Sequence, residues 1–272
     1  MVLIFLNQSL VATHLSGNLS FPQPLRDKYS DALNSIIKLH NPLPQANTRS
    51  HANKYPDRVT RSGVIDNSLG FMNGHHMNTL TNLKIREERR KTSDKMTGSL
   101  SYLYRTASAA KVVERLNSVL FKESVDRMNR VNELVEEHNN GSLKLLEANG
   151  GFLIRYLAVN VFNEEHHDQH DCRKIPSTLL YSGDISKNSN YLCFTDYDIR
   201  LPIAAWTIIQ MMAWSLNHEV GIVDTFTDKF NNRRVEVFGS YDSLYRNFNK
   251  REEQKVCIFK PLYFFITRVL VC

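Results

Sequence analysis

The sequence predicts an α+β protein in which helices buttress a double-stranded β-helix, or cupin-like jelly-roll, barrel. Two observations carry this prediction. Residues 106–138 place apolar side chains at three- and four-residue steps, as one face of a helix requires. From about Leu143 onward, short runs of β-branched and aromatic residues alternate with turn signals, which is typical of a barrel or sandwich.

The first 96 residues are expected to form an irregular extension with one short helix near residues 26–39. Five prolines interrupt any longer helix in the first 60 residues: Pro22, Pro24, Pro42, Pro44 and Pro56. Residues 46–95 contain ten Lys/Arg and five Asp/Glu, a net charge of +5 compared with +6 for the whole chain. Such a segment can attract nucleic-acid phosphate or direct a chain to the nucleus, and the alternative is a solvated helix face.

Residues 106–138 form the clearest helix, and it is expected to end at Asn139-Asn140-Gly141 and to pack on the outer face of the sheet. The chain therefore divides into an extension over residues 1–96, a barrel domain over 97–250 and an apolar tail over 251–272. The tail is expected to be a buried strand or an amphipathic segment, because its 17-residue apolar run contains Lys260, Pro261 and Arg268.

The termini and the cysteines predict an intracellular protein without a membrane partner. Met1–Leu6 is apolar but has no basic segment before it, so a signal peptide is not expected. The four cysteines have no C-x-x-C spacing, which argues against a zinc ribbon or a disulfide framework and favours a reducing compartment.

A candidate metal site follows the predicted strand at residues 155–162. His166 and Asp168 have the spacing His-x-Asp, and residues i and i+2 of an extended chain point to the same side. An imidazole and a carboxylate on one side are two members of a 2-His-1-carboxylate iron site. The alternative interpretation is a polar loop after a strand.

A third ligand and an anion-binding side chain are available further along the chain. His218 lies 50 residues after Asp168, beyond an apolar run and before a β-prone segment. Arg233 and Arg234 then open another predicted strand. A guanidinium binds a carboxylate through a bidentate fork, so an arginine there can hold a dicarboxylate cosubstrate.

Together these residues resemble the Fe(II)- and 2-oxoglutarate-dependent dioxygenases. Within that class, the stretch from residue 158 to 240 is most similar to the TET/J-binding-protein group, in the branch expanded in fungi, which oxidises methylated pyrimidines in DNA. The resemblance rests on AVN followed by HHDQHD, and on YSGDIS, YLCFTDYDIRLP, WSLNHEV and NNRRVEVF.

The resemblance implies a role for each candidate residue. His166, Asp168 and His218 would be the Fe(II) ligands, and Arg234, or failing that Arg233, would anchor 2-oxoglutarate. Asp171 matches the last position of HxDxxD and would orient a ligand or contact the substrate base. The chain departs from the family pattern in having Asn188-Ser189-Asn190 in place of a Gly-Gly pair, and Glu236 in place of a serine.

The expected function is oxidation of a methylated base, of the 5-methylcytosine type, in DNA, in the nucleus or elsewhere inside the cell. A flipped base would stack on an aromatic side chain, and the candidates, each also suited to the core, are Phe162, Tyr181, Tyr197 and Trp214. Two alternatives remain open. One is an inactive jelly-roll protein that binds nucleic acid or a protein, and the other is an oxygenase acting on a protein or small molecule.

Overall fold

The computed structural model describes residues 1–6, 9–15, 21–40, 63–71, 83–85, 92–137, 142–159, 161–185 except 162, 164, 170 and 184, 190–222, and 233–240. The most basic part of the N-terminal segment, including Arg89, Arg90 and Lys91, and the C-terminal tail lie outside the described residues. None of the described helices is long and apolar enough to cross a membrane.

Five helices and twelve strands lie within these ranges. The helices are α1 Gln23–His40, α2 Ser93–Arg105, α3 Ala107–Leu120, α4 Lys122–Glu137 and α5 Ser142–Ala148. The strands are β1 Val2–Leu6, β2 Ser9–Leu15, β3 Gly63–Asp66, β4 Leu69–Phe71, β5 Leu83–Ile85, β6 Ile154–Val159, β7 Ser177–Ser182, β8 Asn190–Phe194, β9 Ile199–Pro202, β10 Ile208–Met211, β11 His218–Ile222 and β12 Arg234–Gly239.

Two antiparallel sheets form the barrel. The larger has seven strands in the order β1-β2-β10-β7-β12-β6-β3, and the smaller has the order β11-β8-β9. Inward-facing side chains of both sheets share one apolar cluster, so the sheets pack face to face. The expected α+β class with a double-stranded β-helix is confirmed.

Strict alternation along the strands separates the two faces of the larger sheet. On β6, Leu157 and Val159 pack toward the helices, whereas Ala158 faces the smaller sheet. On β7, Leu180 faces the helices and Leu179 faces the smaller sheet. This period of two follows from the pleat of the strand, and it decides which side chains can reach the space between the sheets.

The helices cover the outer face of the larger sheet. α1 confirms the helix expected near residues 26–39, and its buried side chains Tyr29, Ala32, Leu33 and Ile36 form one stripe. The helix expected over residues 106–138 is divided into α3 and α4 at Phe121. The Phe121 backbone leaves the helical region with φ −129° and ψ 76°, and its carbonyl accepts from the N–H of Ser124 at 2.9 Å, which starts the second helix.

The first 96 residues contribute regular elements to the barrel, in contrast to the irregular extension expected from their prolines. β2 pairs with β10, and β3 pairs with β6. The sequence signal was weak because these strands are short and their partners are far away in the chain, as the pairing of Leu15 with Ile208 shows.

A buried ion pair attaches the helices to the two strands on which the site depends. Arg155 Nε of β6 lies 2.5 Å from Glu236 Oε1 of β12, with both side chains at most 1% exposed. The hydroxyls of Tyr29 and Tyr102 donate to the same carboxylate, and Arg155 also donates to the Thr106 hydroxyl. Burial, and then the charge of Glu236, raise the pKa of both tyrosines well above its usual value, so both stay protonated donors.

Candidate metal centre and its cavity

Three side chains with metal-binding donors converge between the two sheets. His166 and Asp168 lie on the segment after β6, and His218 is the first residue of β11. One donor atom from each lies within 4.8 Å of the other two. The distance from Asp168 Oδ1 to His166 Nε2 is 3.8 Å, and that from Asp168 Oδ2 to His218 Nε2 is 3.9 Å. The donors are thus close enough to share one ion, around which neighbouring ligand atoms stand about 3 Å apart.

Backbone hydrogen bonds hold the two histidines side by side. The N–H of His166 donates to the carbonyl of His218 at 3.0 Å, and the N–H of His218 returns the bond at 2.8 Å. The N–H of Asp168 donates to the carbonyl of Ala213 at 2.9 Å. These main-chain bonds attach His166 and Asp168 to the segment that leads into β11. We call residues 166–171 the metal loop.

The His218 ring is oriented for metal binding. Its Nδ1 lies 2.9 Å from the Leu216 carbonyl, which can only accept, so Nδ1 carries the proton and Nε2 presents its lone pair toward Asp168. Burial, and then the charge of His166, lower the pKa of His218. A neutral imidazole is the form that binds a metal, so the donor set fits an Fe(II) ion.

His167 is turned away from this centre. Its Nδ1 lies 3.1 Å from the Asn217 amide oxygen, in an exposed contact. The Asn217 amide donates in turn to Asp196 Oδ1 at 3.0 Å. His166, and not the adjacent His167, thus lies near Asp168 and His218, because successive residues of an extended segment point to opposite sides.

Asp171 closes the metal loop beside Asp168. Its N–H donates to the Asp168 carbonyl at 3.0 Å, and its carboxylate accepts from the Ser177 hydroxyl. Burial, and then the negative charge of Asp168, raise the pKa of Asp171 to about 7. Ser177 lines the cavity described next, so Asp171 is connected to that cavity through the Ser177 hydroxyl.

A cavity extends from the triad between the sheets. Arg233 and four uncharged polar side chains line it together with the triad: Tyr156, Asn163, Ser177 and Tyr181. The remaining wall is apolar, with Ala158, Leu179, Leu192, Val220, Val235 and Val237 among its side chains. A polar end with a metal-binding triad and a largely apolar wall is typical of a small-molecule site.

The structure places Arg233, and not Arg234, in this cavity. Arg233 is 3% exposed, donates to the Val161 carbonyl and lies 5.5 Å from the Tyr181 ring centre. Arg234 does not line the cavity. Burial lowers the pKa of Arg234, and the Tyr29 hydroxyl on α1 acts in the opposite direction. The position of Arg233 therefore favours it over Arg234, the first choice from the sequence, as the candidate anchor.

The same alternation turns Glu236, the departure from the family's serine, away from the cavity. Glu236 lies two residues after Arg234, and its carboxylate binds Arg155 and the helix tyrosines on the outer face of the sheet. A carboxylate on that face does not oppose an anion in the cavity. The residue at i+2 from Arg233 is Val235, which lines the cavity as an apolar side chain.

The aromatic candidates are separated by their surroundings. Tyr181 is completely buried and lines the cavity, whereas Tyr197 is 48% exposed. Trp214 is half-buried beneath Arg173, and Phe162 lies outside the described residues. Tyr156, Asn163 and Ser177 carried no motif that marked them as cavity residues, although their positions before and after the metal loop could have suggested it.

This chain is similar to several solved structures. NgTET1 in complex with 5mC DNA matches with a TM-score of 0.54 and 12% identity over 86% of this chain and 74% of that chain. The viral collagen prolyl hydroxylase from Paramecium Bursaria Chlorella virus-1 matches with a TM-score of 0.32 and 9% identity, over 84% of this chain and 94% of that chain. JOX2 in complex with 2OG, Fe and JA matches with a TM-score of 0.37 and 14% identity, over 85% of this chain and 67% of that chain.

The likeness to NgTET1 shows that this chain shares the double-stranded β-helix fold of that protein. No family model matches the sequence. No curated protein matches it either.

Proposed function

We propose that this protein is an Fe(II)- and 2-oxoglutarate-dependent dioxygenase whose iron ligands are His166, Asp168 and His218. The observation that carries the proposal is the convergence of these donors within 4.8 Å, at the end of a cavity that also contains an arginine. Two histidines and one carboxylate on one face leave three positions of an octahedral iron for cosubstrate and O₂. Iron, when bound, supplies the oxidising chemistry, and the chain supplies geometry and a water-poor site.

Arg233 is proposed to bind the distal carboxylate of 2-oxoglutarate. Burial lowers the pKa of Arg233, which means that the environment disfavours its charge. A carboxylate beside it would compensate that charge through a bidentate pair. Tyr181 lies against the same guanidinium and offers a hydroxyl to the same anion. The apolar wall then excludes water from the rest of the cosubstrate.

The proposed substrate is a methylated base, of the 5-methylcytosine type, in DNA. The complex of NgTET1 with 5mC DNA and the net charge of +5 over residues 46–95 support this choice. A base inside a duplex cannot reach a site between two sheets, so it would be flipped out of the stack. Asp171, whose carboxylate accepts from the cavity-lining Ser177, is proposed to hydrogen-bond the polar edge of the flipped base. Action on DNA would place the protein in the nucleus or elsewhere inside the cell.

An oxygenase that acts on a protein or small molecule would use the same metal loop and the same Arg233. An inactive jelly-roll protein would require a metal centre that cannot function. Glu236 faces away from the cavity, so its carboxylate does not repel a cosubstrate there, and this weakens that alternative.

Calorimetry followed by a succinate assay tests the proposal and separates the three functions. The dioxygenase proposal expects 2-oxoglutarate to bind only after Fe(II), and succinate release to be stimulated by duplex DNA containing 5-methylcytosine. If unmodified DNA stimulates succinate release equally, or if no DNA stimulates it, the proposal of a methylated-base substrate is contradicted. Failure of Fe(II) to bind under anaerobic conditions would contradict the enzyme itself and leave the inactive binder.

A further inference from the structure

Arg173 and Trp214 form a cation–π pair at the surface next to the metal loop. The Arg173 guanidinium carbon lies 5.2 Å from the centre of the Trp214 ring. Arg173 is exposed and Trp214 is half-buried. The indole Nε1 has no hydrogen-bond acceptor among the described residues, so packing and the arginine hold the ring in place. Neither the metal centre nor the proposed cosubstrate site uses this pair.

Both members of the pair are attached to the metal loop. Arg173 follows the loop by two residues. Trp214 directly follows Ala213, whose carbonyl accepts from the N–H of Asp168 at 2.9 Å. The cation–π pair is therefore held in a fixed position relative to the triad by covalent and main-chain contacts.

The metal centre opens to solvent on the side of this loop. The Asp168 side chain is 31% exposed, compared with 13% for His166 and 5% for His218. A substrate is expected to approach from the side of Asp168, because it is the most exposed of the three side chains. The Arg173–Trp214 pair is connected to Asp168, the most exposed of the three, through the chain and the Ala213 carbonyl, which is the basis for placing it beside the opening.

The positive charge of Arg173 is available to a ligand. No described carboxylate lies within ion-pair distance of its guanidinium, whereas neighbouring Lys174 pairs with Glu123 at 3.3 Å. The cation–π contact with Trp214 restrains the guanidinium, and its N–H groups can still bind an anion. A planar fork held in this way favours phosphate, because two parallel N–H···O bonds can form with less loss of side-chain entropy.

We infer that the Arg173–Trp214 pair binds a backbone phosphate of the DNA strand whose base enters the cavity. This inference rests on the proposed function, since a DNA substrate is what brings phosphate to this surface. A nucleotide with its base in the cavity must run its backbone past the exposed edge of the metal loop. One phosphate contact there would fix the register of the strand without reading its sequence.

Fluorescence anisotropy with the full chain and a labelled duplex containing one 5-methylcytosine tests the inference. Arg173→Ala should weaken binding by about tenfold at ~0.1 M salt and reduce the slope of log affinity against log salt by about one, as loss of one phosphate contact predicts. Arg173→Lys should keep the slope of log affinity against log salt and bind roughly several-fold more weakly, because an ammonium lacks the planar fork.

Arg200→Ala is the matched control. Arg200 also lies over an aromatic ring, 5.4 Å from the centre of Tyr191, but it belongs to β9 and pairs with Asp198 at 3.6 Å. Its removal should leave both the affinity and the salt slope unchanged. Fe(II) binding by the Arg173→Ala protein should equal that of the wild type, which establishes that the variant is folded.

Three other results would each contradict a different proposal. If Arg173→Ala binds DNA as the wild type does, or if Arg200→Ala loses the same affinity for DNA, the inference is wrong. The proposed dioxygenase function is not affected by either result. If the wild type releases succinate from 2-oxoglutarate but does not bind DNA, both the inference and the DNA substrate are wrong. If the wild type binds DNA without any turnover, only the enzymatic proposal fails, and the Arg173 comparison still decides the phosphate contact.

Discussion

At the scale of single residues, the metal centre depends on which histidine nitrogen faces Asp168. The Leu216 carbonyl fixes this for His218, because it accepts the Nδ1 proton and leaves Nε2 for a metal. His167 is directly adjacent to His166 in the chain, yet its ring contacts Asn217. His167 therefore offers a histidine control that lies beside the proposed ligands but outside the centre.

His218→Ala should lower Fe(II) affinity by at least roughly 100-fold, since one of three protein ligands is lost. Anaerobic calorimetry measures the change. The matched control is His167→Ala, which should bind Fe(II) as the wild type does because its ring is outside the centre. Equal affinities in the His218→Ala and His167→Ala proteins would rule out the assignment of the ligands.

Arg233→Ala should weaken 2-oxoglutarate binding by about 100-fold while Fe(II) binding survives, because a buried charge-assisted pair is lost. Arg234→Ala is the control, since this neighbouring arginine lies outside the cavity. Calorimetry of 2-oxoglutarate with the iron-loaded proteins measures both. The assignment fails if Arg234→Ala has the larger effect, or if neither variant changes the affinity.

Asp171 should make the stability of the metal-free protein depend on pH. Its pKa rises from 3.8 to about 7 on folding, so the folded state holds a proton that the unfolded state has released between these values. The stabilisation is present below about pH 4 and is lost as pH rises through about 7, with an upper limit of about 4 kcal/mol. Urea unfolding in the presence of a chelator should show this decline, and Asp171→Asn should flatten it. Parallel curves for the two proteins would contradict the raised pKa.

At the scale of secondary-structure elements, β6 and β12 each serve two purposes. β6 leads into the metal loop and carries Arg155 on its outer face, and β12 begins beside Arg233 and carries Glu236 on its outer face. The ion pair thus fixes the register of the two strands that deliver the triad and the proposed anchor. The helices are locked to the same point through Tyr29 and Tyr102.

Glu236→Gln should destabilise the protein by about 3–5 kcal/mol, because Arg155 would keep its charge in a buried site without its counter-ion. The free energy of unfolding in urea measures the loss. The double variant Arg155→Met with Glu236→Leu should be more stable than Glu236→Gln alone, since no charge is then left buried. Wild-type stability in Glu236→Gln would show that the ion pair does not hold these elements together.

The sequence predicted these elements unevenly, for physical reasons. α1 was predictable because its apolar stripe is local, whereas the break at Phe121 was not, since the apolar periodicity continues through it. The His-x-Asp spacing placed an imidazole and a carboxylate on one side, because side chains of an extended segment alternate. The choice between Arg233 and Arg234 required knowing which face of β12 is inward, and the partner of Glu236 lies 81 residues away in the chain.

At the scale of the whole molecule, the barrel is assembled from distant parts of the chain. β2 borders β10, and its Thr13 hydroxyl donates to the buried Gln210 amide at 2.9 Å. β3 completes the other edge of the larger sheet against β6. The prolines and the charge suggested a domain boundary at residue 97. A barrel domain that began there would lack three of the seven strands of the larger sheet and all of α1.

A fragment comprising residues 97–250 is therefore expected not to fold, whereas a fragment comprising residues 1–250 is expected to fold. Loss of α1 would expose the buried core around Leu33 and Ile36, and loss of β2 and β3 would leave β10 and β6 with unpaired backbone groups. Circular dichroism, cooperative urea unfolding and Fe(II) calorimetry of the two fragments measure the difference. A shorter fragment that unfolds cooperatively and binds Fe(II) would show that residues 1–96 are an accessory extension, and that the elements they contribute to the sheet are dispensable for the metal centre.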